Sequence, residues 1–104
     1  MLLRGALEAL AKTQGAIERK DFEMKGTQIN KAISIIMELQ SSLDLKKGGE
    51  LATNLNDLYG YMVPTLVEAN RNSNIAKVQE VSKLLTDIFE GWAAIPPEYH
   101  KQVD

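Results

Sequence analysis

The sequence predicts an all-α fold, an antiparallel up-down four-helix bundle. Three observations carry that expectation. Apolar residues recur at three- and four-residue spacing in four successive stretches, the mark of amphipathic helices. The stretches are matched in length, about 18–22 residues and so roughly 27–33 Å each. The links between them are short, which makes consecutive helices antiparallel neighbours.

In the first helix Leu2, Leu3, Ala6, Leu10, Thr13 and Ile17 share one face, and Gly5, Ala9 and Ala16 form a neighbouring face of small residues. Small side chains let another helix approach closely. No capping residue precedes Leu2, so residues upstream of Met1 are expected. Arg19 and Lys20 close the helix, where its dipole favours cations. Asp21 is then the expected N-cap of a second helix over Phe22 to Leu43. Its core stripe is Phe22, Ile29, Ile33, Ile36 and Leu43, beside Ala32. Ile35 and Leu39 widen the stripe on one side and Met37 on the other, to an apolar arc of roughly 200°. A helix with one buried side needs only a little over about 100°.

Gly48-Gly49 is the strongest breaker in the chain and predicts the link to a third helix over Glu50 to Asn70. Its stripe is Leu51, Leu55, Leu58, Met62, Leu66 and Ala69, with Tyr59 and Val63 on one edge, while Tyr61 and Val67 lie away from it. Pro64 removes an amide donor and crowds the carbonyl of Gly60, which predicts a kink between the two. The polar run Asn70 to Asn74 links to a fourth helix over Ile75 to Ala94, with Asn74 or Ser73 as its cap. Val78, Val81, Leu85, Ile88, Phe89 and Trp92 form its buried face, and Pro96-Pro97 ends it. Residues 1–95 are thus expected to form one bundle domain and residues 96–104 a polar tail.

Composition narrows the function. At 104 residues a domain buries roughly 65% of its unfolded surface, enough for a core without staples. A net charge of −2 argues against a nucleic-acid surface, which needs a basic patch. The chain has no cysteine, which excludes disulfides and thiolate metal sites and suits a reducing compartment. No apolar run approaches the roughly 18 residues of a membrane span. No enzyme is expected. The only histidine, His100, sits in the tail, so no serine has a base in the core and no Glu-x-x-His pair can hold a di-iron centre. Gly48-Gly49 lacks the Lys-Ser/Thr of a phosphate loop, and no cofactor or metal is expected.

Nearly all of the chain, and most specifically its middle, resembles the flagellar secretion chaperone family FliS. The matching residues are Ile33, Ile36, Leu39, Ser41-Ser42-Leu43, Gly48-Gly49-Glu50-Leu51-Ala52, Asn54-Leu55, Leu58-Tyr59, Tyr61-Met62, and Leu66 with Glu68-Ala69-Asn70. Gly5-Ala6, Lys20-Asp21 and Trp92 also fit. The resemblance implies a cytosolic protein that binds the disordered C-terminal segment of flagellin, blocks premature polymerisation and assists delivery to the flagellar export gate. Two departures stand out. Family members carry a further N-terminal segment with an aromatic residue, packed over part of the client surface, and this sequence lacks it. If that segment covers a groove, the sequence without it should expose apolar surface along its first helix. Pro64 replaces an ordinary helix former.

Physics agrees with a disordered client, since an amphipathic helix lying in an apolar groove is a common way to fold on binding. The expected client-binding residues are the apolar flanks that a bundle does not fully consume: Ile35, Leu39 and Met37 on the second helix, Tyr59, Val63 and Val67 on the third, and Leu7, which lies off the stripe of the first. Ile33, Leu55 and Leu85 are expected in the core. The alternative reading is a helical adaptor for a different partner, or a bundle whose apolar excess is a homodimer interface.

Overall fold

Four α-helices account for nearly all of residues 2–93, the part of the chain described by this computed structural model; for Trp92 and Ala93 the description is of the backbone alone. They are α1 (Leu2–Arg19), α2 (Phe22–Ser41), α3 (Leu45–Asn72) and α4 (Ile75–Ala93). There is no strand among the described residues. Each helix packs on the next in the chain and α4 closes back on α1, which is the expected antiparallel four-helix ring. The α1–α2 interface is the most extensive of the four. Residues 96–104, the expected tail, lie outside the described residues, as does the side chain of Trp92.

The helix ends follow local chemistry. Lys20 takes a left-handed conformation (φ 58°), and its N–H donates to the Ile17 carbonyl while that of Asp21 donates to Ala16, at 3.1 and 2.9 Å. Those paired bonds satisfy the last carbonyls of α1. The Asp21 carboxylate then accepts the Met24 N–H at 3.1 Å and caps α2. At the far end of α3, Ser73 is left-handed (φ 50°) and its N–H reaches Ala69. Asn74 accepts the Lys77 N–H at 3.3 Å and caps α4.

One boundary differs from expectation. The link between α2 and the main run of α3 is longer than Gly48-Gly49 alone and begins with a turn at Ser42 to Asp44. The Asp44 carboxylate accepts the N–H groups of Lys46 and Lys47 at 3.1 and 3.0 Å, so a helical turn starts at Leu45. Gly49 (φ 56°, ψ −134°) then breaks the helix from inside. At Gly60 to Pro64, where a kink rather than a break is expected, the helix is unbroken: Gly49 has the only non-helical dihedrals within α3. Gly60 and Pro64 are both exposed, and Gly60 has no side chain for the proline ring to meet.

The core is built from Leu3, Ala6, Ala9 and Leu10 of α1, Ile29, Ala32, Ile36 and Leu39 of α2, Leu55, Tyr59, Met62, Leu66 and Ala69 of α3, and Val78, Val81 and Leu85 of α4. On α2 the buried face is rotated from the expected stripe. Leu39 is fully buried, Ile33 and Leu43 are only partly buried, and Phe22 is exposed. The cause lies in α1, whose small face is also buried. A Cβ added to Gly5 would stand 3.4 Å from Ile35 Cδ1, ordinary contact that shows how near α2 comes. As α2 turns its Leu39 side toward α1, its Ile33 side lifts off the centre.

Candidate functional site

The seven residues expected to bind a client do not stay together. Leu39 and Tyr59 are fully buried and belong to the core, which corrects their placement on open flanks. Leu39 lies on the same side of α2 as Ile35, which faces α1, and Tyr59 on the same side of α3 as Asn56 and Asn70, which are bonded to α2. Ile35 is half-buried on the α1 side of α2, against Gly5. Leu7 is half-buried on α1. It lies two turns before Gln14, which is 3.5 Å from Gln79 of α4, so Leu7 is on the α4 side of its helix.

Met37, Val63 and Val67 converge instead on one groove, between α2 and α3. Its upper end is tied by the Gln40 amide, which donates to the Asn56 side chain at 3.0 Å. Its lower end is tied by the Lys25 ammonium, which donates to the Asn70 carbonyl at 2.9 Å. At 1.5 Å per residue the ties are roughly 21–23 Å apart along the helices. Ile33 and Met37 lie on the Gln40 side of α2, at helical spacing; Gly60, Val63 and Val67 follow Asn56 in the same way on α3.

Ile33 and Val63 are partly buried and pack on the core, so they form the floor. Met37 and Val67 are 54% and 52% exposed, and stand as the apolar walls. Gly26 and Gly60 complete the sides. A Cβ on Gly26 would meet nothing within 4 Å, and one on Gly60 would meet only the Gln40 amide at 3.7 Å. Neither glycine is required by the packing of this chain on itself. The walls between the ties carry no charged residue, so an apolar helix could lie there without desolvating a charge.

The other grooves are more polar. Between α3 and α4 the Tyr61 hydroxyl donates to Glu80 at 2.8 Å, and Glu68 pairs with Lys77 at 3.5 Å. A shallow recess beside the start of α2 is lined by Asp21, Glu23, Met24, Thr27 and Gln28. Among the described residues no group of His, Cys, Asp and Glu could hold a metal ion, and no helix is long and apolar enough to cross a membrane.

Sequence reasoning missed Lys25, Gly26, Gly60 and the part-open state of Ile33. A signal for Lys25 was present, since it stands one turn before Ile29 on the buried side of α2.

The chain is similar to known proteins along nearly its whole length. The family model described as flagellar protein FliS matches residues 1–99. The flagellar secretion chaperone FliSB of Pseudomonas aeruginosa is 47% identical over 95 residues, covering 91% of this chain and 75% of that protein. The flagellar secretion chaperone FliS of Salmonella typhimurium is 42% identical over 99 residues, 94% of this chain and 73% of that protein. That of Vibrio cholerae is 36% identical over 100 residues, 96% and 74% respectively.

Proposed function

The chain belongs to the flagellar protein FliS family, and from that premise we propose that its client is the disordered C-terminal segment of flagellin, held as a helix in the α2–α3 groove. An export chaperone role, without enzymatic activity, comes with the family. In the proposed cycle the protein works in the cytoplasm, covers the segment before it can polymerise, and releases it at the flagellar export gate. Binding and release are an equilibrium service and need no cofactor.

The observation that supports this reading is that Met37, near the upper tie on α2, and Val67, near the lower tie on α3, are both half-exposed along a groove floored by Ile33 and Val63. A stable bundle has no need to leave them open. A flexible thioether on one wall also suits a client that is read by fit rather than by charge.

The test pairs thermal melting with calorimetric titration of a flagellin C-terminal peptide on Met37→Glu and Val67→Glu. Exposed positions tolerate charge, so both variants should melt within a few degrees of the parent. A carboxylate facing an apolar client helix is desolvated without a partner, so affinity should fall by about tenfold or more. Folded variants that bind as well as the parent would remove the groove from the reading. A parent that binds no peptide, and whose mass rises with concentration, would favour the homodimer interface instead.

A further inference from the structure

Lys25 breaks a local rule. It lies in the first turn of α2, where the helix dipole disfavours a cation. It is also only 8% exposed, although lysines are rarely buried unless paired. Its partners are not carboxylates. Nζ donates to the Asn70 carbonyl and the Ser73 hydroxyl, both at 2.9 Å, and stands 5.1 Å from the centre of the Phe22 ring. Asn70 is in the last turn of α3, where carbonyls lacking helical partners gather negative potential. The end of α3 therefore supplies the counter-charge that α2 cannot. The arrangement is unfavourable within α2 and is satisfied only when α3 is docked in register.

We infer that Lys25 is a positioning clamp, fixing the spacing and register of α2 and α3 at the lower end of the groove through its charge rather than its bulk. The client half of this inference rests on the function proposed above. Both hydrogen bonds span the two helices, to residues 45 and 48 positions away in the chain. The Ser73 bond also holds a residue in a left-handed conformation that a serine seldom adopts, so the start of α4 is fixed by the same ammonium. Phe22, 57% exposed at the foot of α2, is held by its contact with the cation, at the mouth of the groove. Without the clamp the upper tie, Gln40 to Asn56, remains, and the groove is fixed at one end only.

The experiment uses the whole chain with Lys25→Met, which keeps the length and loses the charge, Lys25→Arg, which keeps the charge, and Ser73→Ala. Circular dichroism should show all of them helical. In free protein, amide exchange of residues 73–78 should speed up by about tenfold in Lys25→Met, as expected for losing hydrogen bonds to a charged group. The same amides should respond less in Lys25→Arg and Ser73→Ala. Flagellin C-terminal peptide should bind Lys25→Met about tenfold more weakly, with Lys25→Arg intermediate.

Unchanged exchange at residues 73–78 in Lys25→Met would overturn the clamp, as would Lys25→Arg behaving like Lys25→Met. Faster exchange with unchanged affinity would overturn its role in the groove. Should Lys25→Met not fold, Ser73→Ala against the parent decides the matter, and no change in its exchange would overturn the clamp. A parent that ignores the peptide overturns the client reading alone, since the exchange measurement needs no client.

Discussion

The two sides of α2 meet their neighbours in opposite ways. Toward α1 the contact is close: Gly5, Ala9 and Ala16 let the helices approach, and Ile35 rests on Gly5. Toward α3 polar ties at each end hold the helices, and between them Met37 and Val67 stay half-open while two glycines touch almost nothing. The first side is the more extensive interface, and the second carries the more open apolar side chains. An apolar arc of roughly 200° on one helix is thus divided between a permanent neighbour and a groove.

The largest effect should separate residues adjacent on α2. Ile36 is fully buried and Ile33 only partly, so Ile36→Ala should cost about 2–5 kcal/mol in urea denaturation and Ile33→Ala clearly less. Equal losses would mean that the two sides are packed alike. Leu55→Ala should fall with Ile36→Ala, because Leu55 is in the same core. Overpacking comes next. Gly5→Leu has to displace Ile35 and should destabilise by about 1–3 kcal/mol, measured the same way.

The glycines on the other side should respond with the opposite sign. Gly26→Ala adds a methyl group to open space and Gly60→Ala one at ordinary contact with the Gln40 amide, and both remove a poor helix former, so each should stabilise by roughly 0.5–1 kcal/mol. A loss at either would show that α2 and α3 already need the close approach. The smallest effect lies outside both interfaces. Lys83 and Asp87 form an exposed pair at 3.3 Å on α4, and Asp87→Asn should change stability by no more than about 0.5 kcal/mol.

The bundle was legible because helix identity depends on spacing within each helix. Rotation of a helix about its axis depends on its neighbours, and there the sequence was silent. Leu39 and Ile33 are equally apolar, and only the small face of α1 decides which is drawn inward. Of the expected site, Met37, Val63 and Val67 fell on one groove, whereas Leu39 and Tyr59 did not, for the same reason. Gly49 does break the helix, but the Asp44 cap adds a helical turn ahead of it that the glycines do not announce. The helix runs unbroken through Gly60 and Pro64.

Lys20 and Ser73, each left-handed at the end of a helix, bear on how this chain could be improved. Such geometry costs a residue with a side chain roughly 1–2 kcal/mol relative to what glycine would feel. Nothing holds Lys20 to its side chain, which is exposed, so Lys20→Gly offers an unused reserve of thermostability. Ser73 offers none as cheaply, because replacing it with glycine also deletes the hydroxyl that receives Lys25. Two strained residues of equal appearance therefore differ in what glycine would do to them: at Lys20 it relieves strain alone, at Ser73 it also removes a bond to a buried ammonium.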